Sequence, residues 1–252
     1  YACMAFHLPW WLCIILSILI CIILGVLVER LAYRPLRSAS SLSVLITAIG
    51  VSYFLQNFAQ LSFGSDTKIF PNLLSEGSFK FFNGQLTISY LSVITIVVCL
   101  VIMVCLMLFI NKTKMGRAMR ACAEDKEAAQ LMGININTTI SITFAIGSGL
   151  AAIASILLCS SYPSLSPTLG SMPGIKAFTA AVFGGIGSIP GAFIGGILLG
   201  VIEILARAYI SSQLSDAIVF AVLIIVLLVR PTGILGKKMQ EKYGGRLFMV
   251  DP

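Results

Sequence analysis

The chain has 252 residues, 58% of them hydrophobic and only 11% charged, with a formal net charge of +7. Ordinary globular domains carry roughly 25% charged residues, and one soluble core cannot absorb so many uncharged runs of about 20 residues, so composition excludes a water-soluble globular domain. The positive charge does not signal nucleic acid, because the cations sit in short loops beside the apolar runs.

Residues 8–28 are uncharged and long enough to span a bilayer, with Pro9, Trp10 and Trp11 at the edge, where Trp favours the headgroup zone. The chain starts at Tyr1 and no cationic stretch precedes this run, which therefore does not read as a secretory signal. A further N-terminal part of the natural chain is expected. Residues 29–37, ERLAYRPLR, carry three cations. Residues 42–63 form a second uncharged span with one polar face: Ser52, Gln56 and Gln60 recur every four residues, with Asn57 beside them. Amides are costly against lipid, so this face is expected to point inward, as interhelical hydrogen-bond glue or as the lining of a solute path. A neutral lining suits a zwitterionic or uncharged solute better than an ion. Residues 64–85 are polar and rich in turn formers, with Asp66, Lys68, Glu76 and Lys80 in balance, and 86–110 form a third span.

Residues 115–135, MGRAMRACAEDKEAAQLMGIN, are the one long, densely charged stretch with a helical pattern. Such a stretch is too polar to span and too patterned for a random loop. Glu127, Ala128, Ala129 and Gly133 form an EAA-x3-G motif. The expectation is one short helix over 121–133, with Ala121, Ala128 and Ala129 permitting close contact with a groove on another protein. Glu124 and Glu127 would meet basic groups at its rim, and Gly133 would supply the φ > 0 turn at its end. In a transporter, that is the task of a coupling helix. The alternative is a solvated, charged loop.

Residues 140–161 form a fourth span, with Asn137 or Thr138 as the expected N-cap, and 162–174 hold three prolines and read as a loop. Two short apolar segments follow, 177–189 and the glycine-rich 191–205, separated by Pro190; 217–229 then runs to Arg230-Pro231. Gly191 and Gly195, and again Gly196 and Gly200, have the GxxxG spacing, which serves tight helix packing or, alternatively, a hinge or pathway wall. Glu203 and Arg207 are spaced i, i+4 with the acid first, the favourable order for an intrahelical ion pair; the alternative is a gating role. Placing 29–37, 111–139 and the tail from Arg230 in the cytoplasm puts 13 of the 17 Lys and Arg there. Tyr1, the Asp66 loop and 163–173 then lie outside, and an odd number of crossings separates Lys176 from Arg230. Three crossings with Pro190 at the inner turn satisfy this, and so does a re-entrant pair followed by one span. The expected fold is all-α: a polytopic transmembrane helical bundle of about seven membrane segments, including the short Gly/Pro-broken pair. Residues 1–236 form the transmembrane domain, 111–139 its cytoplasmic coupling loop, and 237–252 a cytoplasmic basic tail.

Reactive groups are scarce. The only histidine is His7, at an outer edge, and no HExxH or GxSxG occurs. No catalytic residue, cofactor or metal is expected. The seven cysteines lie mostly in apolar runs without CxxC spacing, and are expected to act as small hydrophobes rather than a disulfide framework. The first four spans hold no charge. An ion-coupled carrier usually carries intramembrane Asp, Glu or Arg, so energy is expected from another subunit.

ERLAYRPLR, AIGVSYFLQN, MGRAMRACAEDKEAAQLMGIN, KAFTAAVFGGIGSIPGAFIGG and PTGILG resemble the permease subunit of bacterial branched-chain amino-acid ABC importers, from about Glu29 to Gly236. The resemblance implies half of a translocation pore in the bacterial cytoplasmic (inner) membrane. The other half would be a homologous permease, with two cytoplasmic ABC ATPase subunits beneath and an extracytoplasmic solute-binding protein delivering a leucine-, isoleucine- or valine-like solute. It carries the coupling role onto Ala121 to Gly133. The I-x-L-P element of many importers is not visible after Gly133, and family members start earlier. Permeases for urea or another small neutral solute are the near alternative. An autonomous channel, an ion-coupled carrier or a membrane enzyme would have no need for the EAA-x3-G loop.

Overall fold

The computed structural model describes residues 9–37, 39–70, 78–81, 86–230 and 232–236. His7, Glu76 and the basic tail at 237–252 lie outside these residues. The chain divides into two compact units, Tyr1–Gly170 and Ser171–Pro252.

In the first unit, α1 (Trp10–Val28) passes into a π-helical turn, Glu29–Tyr33. Then come α2 (Ser41–Phe63), α3 (Tyr90–Lys112), α4 (Lys114–Glu124), α5 (Lys126–Leu131) and α6 (Ile136–Ser161). The long helices are mostly apolar, as lipid requires, and side-chain caps set the starts of several of them. Ser40 Oγ accepts Ser43 N at 3.3 Å, and Thr113 Oγ1 accepts Gly116 N at 3.0 Å. The cap of α6 is Asn135, which accepts Thr138 N at 3.2 Å. The helix therefore starts earlier than the expected Asn137 or Thr138 cap. α6 packs chiefly on α1 and also touches α3, α4 and α5. Gly149 lets the two main helices approach, since a Cβ there would lie 3.4 Å from Ile22 Cδ1. Near their other end the Tyr33 and Phe144 rings meet at 5.1 Å between centroids.

Among the described residues four short strands decorate this unit. β1 (Lys68–Ile69) pairs antiparallel with β4 (Ser164–Leu165), and Phe70 N donates to Pro163 O at 2.9 Å. The segments that follow α2 and α6 are thereby tied together. β2 (Ser78–Phe81) and β3 (Leu86–Ser89) form a hairpin. The third span thus starts at Tyr90 rather than Leu86. Leu-Thr-Ile-Ser alternates apolar and polar with period two, and Ser89 caps α3 by accepting Leu91 N at 3.3 Å.

In the second unit, α7 (Ser171–Gly184) and α9 (Ser215–Val229) pack on α8 (Ile189–Tyr209) and on each other. Phe183, Leu199 and Val219 form the buried core. α7 starts at Ser171 rather than near Ala177 and takes Pro173 into its first turn, where a missing N–H is harmless. α8 is one continuous helix of 21 residues, longer than the expected 191–205, with Pro190 in its first turn and Ser188 Oγ accepting Gly191 N at 3.1 Å. Beyond α9 the chain folds back: Ile234 N donates to Phe183 O and Leu235 N to Gly184 O, each at 3.0 Å. The 184–188 turn therefore lies at the Arg230 end of the unit. Three passes with Pro190 at the inner turn would require this arrangement. Among the described residues five helices are long and apolar enough to cross a membrane. The 14 residues of α7 and 15 of α9 rise only about 21–23 Å against a hydrocarbon core of ~30 Å. Cys13 is disulfide-bonded, which departs from the expectation of unpaired thiols; Cys21, Cys99, Cys105, Cys122 and Cys159 are free.

Candidate functional site

The 111–139 stretch is two helices, not one. Asp125 ends α4 and caps α5, its Oδ1 accepting Glu127 N at 2.9 Å and Ala128 N at 3.1 Å. A short acid that satisfies the next helix's free N–H groups competes with helix continuation. At its start, α4 folds tightly onto α3, because a Cβ at Gly116 would fall on the Ile110 backbone. Gly133 adopts φ 80° and closes α5, with Ile134 N donating to Ala129 O. Ala121 is half-buried, whereas Glu124, Glu127 and Ala128 are exposed. Ala129 is only 3% exposed, so the chain itself covers it and only Ala128 of the pair is open to a partner. The same surface carries two side chains that the motif did not single out: Leu131 is 89% and Met132 83% exposed.

Beside this loop lies a buried polar network. The Glu29 carboxylate is wholly buried, pairs with Arg37 and accepts the Ser141 hydroxyl at 2.7 Å. Arg37 also donates to Asn137. The two basic segments at 29–37 and 111–139 thus meet at one end of the first unit, as their shared charge sign implies. A pocket of about 530 Å³ opens there, lined by Arg37, Lys126, Gln130, Asn135 and Asn137 among others. The sequence carried one signal for this network: a single acid among three arginines directly after an apolar span. The π-helical turn places that acid, and such turns recur at functional positions.

On α2, Gln56 Nε2 donates to Ser52 Oγ at 3.2 Å, and Asn57 Nδ2 to Tyr53 O at 2.8 Å. Gln56 and Gln60 are half-buried, whereas Ser52 and Asn57 are exposed. The main packing partner of α2 within its unit is the π-helical turn at one end. Phe54, Phe58 and Leu61 remain 68%, 58% and 88% exposed, so most of the helix is not covered by its own unit.

In the second unit Glu203 pairs with Arg207 on the same helix, and the pair belongs to a larger cluster. Lys176 Nζ lies 2.8 Å from Glu203 Oε1 and 2.7 Å from Asp216 Oδ1, joining α7, α8 and α9 in a charge-balanced quartet. Arg207 Nε adds a 3.4 Å bond to Ser215 Oγ. Gly191 and Gly195 press on α7: a Cβ at Gly195 would lie 2.5 Å from Ala180 O. Gly196 has only Ala180 Cβ, at 3.9 Å, and Gly200 has no atom within 4 Å. Among the described residues no group of three or more His, Cys, Asp or Glu could hold a metal ion.

The chain matches a family model described as branched-chain amino acid transport system / permease component over residues 2–227. It is 50% identical over 229 residues to the high-affinity branched-chain amino acid transport system permease protein BraD of Pseudomonas aeruginosa, covering 90% of this chain and 74% of that protein. The permease protein LivH of the corresponding system of Salmonella typhimurium is 49% identical over 230 residues, with 90% and 74% covered. LivH of Escherichia coli K12 is 47% identical over 225 residues, with 85% and 70% covered. No solved structure matches the chain.

Proposed function

The chain belongs to the permease-component family of branched-chain amino acid transport systems, and from that premise we propose that it forms half of the membrane pathway of an ABC importer for leucine, isoleucine and valine. Residues 1–236 are the transmembrane domain, set in the bacterial inner membrane, and 237–252 a basic cytoplasmic tail. A homologous permease supplies the other half of the pathway and covers the bare faces of α2. There Ser52, Gln56 and Gln60 line the solute path, with Asn57 beside them. Two cytoplasmic ATPase subunits supply the energy, and an extracytoplasmic binding protein delivers the solute.

The observation that carries this reading is the surface of α4 and α5. Leu131 and Met132 stand almost fully exposed in the most charged loop of the chain. Large apolar side chains grouped in water mark a partner surface. Fully burying a Leu or Met side chain contributes about 1.5–3 kcal/mol, whereas a rim charge pair is worth about 0–1 kcal/mol. Leu131 and Met132 therefore anchor the loop in a groove of the ATPase. Ala128 and Ala121 keep the approach close, Glu124 and Glu127 sit at the rim, and Gly133 ends the element. Ala129 braces α5 from within.

Reconstitution with the partner ATPases tests this. Ala128→Trp, and separately Leu131→Asp with Met132→Asp, should abolish transport-coupled ATP hydrolysis while membrane insertion stays intact. Wild-type stimulation by both variants would mean that this loop is not the coupling element.

A further inference from the structure

We propose that the pocket at the basic end of the first unit is a headgroup site for an anionic phospholipid of the phosphatidylglycerol type, with Lys126 receiving the phosphate and the Gln130 amide a headgroup hydroxyl. The inference goes beyond the transport reading: it requires only that the chain cross a membrane and is independent of the solute.

Position comes first. Arg37 stands between the end of α1 at Val28 and the start of α2 at Ser41, and Asn137 and Ile140 belong to the first turns of α6. The π-helical turn after α1 touches both α2 and α6. All three helices are long and apolar enough to cross a membrane, so the end they share lies at headgroup depth. The pocket there, of about 530 Å³, falls within the roughly 300–1,000 Å³ of small-molecule sites. Lys126 and Gln130 line it from α5. They are four residues apart and so share one face of that helix. Both are exposed, and among the described residues neither side chain has a hydrogen bond or ion pair. Arg37, also in the lining, already answers Glu29 and Asn137, which leaves Lys126 as the charge that a ligand meets.

The wall selects the ligand. It contains no Asp or Glu, so the ammonium of a zwitterionic lipid finds no carboxylate there, whereas a single phosphodiester charge meets Lys126. The Gln130 amide both donates and accepts, which suits a neutral hydroxyl. Ile136 and Ile140, at the start of α6, line the same pocket and give the acyl chains an apolar wall that a free phosphate would leave bare. Basic pockets between spanning helices take anionic headgroups by this chemistry. An ATPase side chain is the less suited occupant. Glu127 and Leu131, the next pair spaced by four, lie about 100° round α5 from Lys126 and Gln130, so the pocket wall and the surface assigned to the ATPase are different faces.

The test uses the assembled importer in phosphatidylcholine nanodiscs doped with a phosphatidylglycerol that carries a diazirine on its acyl chain near the glycerol. Labelled peptides are mapped by mass spectrometry after illumination. Labelling is expected at 134–140, displaced by unlabelled phosphatidylglycerol but not by phosphatidylethanolamine or inorganic phosphate. Lys126→Gln should lower it about fivefold, and Lys126→Arg should retain it. Lys114→Gln removes a cation of the same loop that is outside the lining, and should leave labelling unchanged. Lys126 has no partner within the chain, so its replacement should not move the melting midpoint, which is measured alongside. No labelling at 134–140, equal displacement by phosphatidylethanolamine, or equal losses in the Lys114 and Lys126 variants would overturn the lipid site. Displacement by inorganic phosphate would make it a site for a free anion. A zero-length carbodiimide cross-link from Lys126 to an ATPase carboxylate would assign the pocket to that partner. Either of these last results also overturns the proposal.

Discussion

Replacing Glu29 by alanine tests the buried network at the basic end of the first unit. The carboxylate is fully buried, faces Arg37, and takes the Ser141 hydroxyl at 2.7 Å. Removing one partner of a buried ion pair costs about 3–5 kcal/mol, chiefly because the other charge is stranded. Arg37 is 22% exposed and keeps Asn137, so it can rehydrate in part, and the expected loss falls to about 2–3 kcal/mol. For a chain of this size each kcal/mol moves the melting midpoint by about 2–4 °C, giving a drop of about 4–12 °C. Glu29→Gln keeps the volume and an acceptor for Ser141, so its loss is smaller, about 1–2 kcal/mol. The double variant Glu29→Leu, Arg37→Met should recover most of the loss, because an apolar replacement of both partners strands no charge. The assay is thermal unfolding in nanodiscs, read by a thiol-reactive dye at Cys122 and Cys159, which are 7% and 2% exposed. Cys21, Cys99 and Cys105 are replaced beforehand. A Glu29→Ala midpoint within the scatter of wild type, or a double variant no better than the single one, would refute the buried-pair argument.

Gly195→Ala should destabilise by about 1–3 kcal/mol, because its Cβ meets the Ala180 carbonyl and the Gly184 backbone, which cannot step aside. Gly200→Ala should leave the midpoint unchanged or raise it, since the site is open and alanine favours helix by about 0.8–1 kcal/mol; equal effects in melting experiments would refute this. Orientation is best read at a single cysteine placed at exposed Gln130. An impermeant maleimide should label it only after the inner face is opened, and labelling in intact cells would overturn the topology. Cys122 is unsuitable as that probe, because its burial silences it in either orientation. Lys176→Met should lower thermal stability more than Arg207→Met, since Lys176 holds two carboxylates and Arg207 is 48% exposed and pairs with one. The reverse order would show that the quartet does not tie the three helices together.

The membrane spans were legible because hydropathy and length are local properties. The run at 42–63 and α2 differ by a single residue at one end. The start of α3 was misread because an apolar count does not separate Leu86–Ser89, with its period of two, from the helix that follows. The break at Asp125 was legible in principle, as an acid at a capping position, but the helical pattern on either side masked it.

By itself the sequence determined that this chain is a polytopic helical membrane protein, which loops carry its positive charge, and which loop bears the EAA-x3-G motif. Each rests on residues that are neighbours in the chain. The tertiary structure decided which faces those residues turn. Ala128 looks out and Ala129 looks in, because packing against α4 and α6 sets the rotation of α5. Glu29 finds Ser141 across 112 residues, and Lys176 reaches Glu203 across 27. Periodicity places a side chain on a face of its own helix. Only the packing of one helix on another says what that face meets.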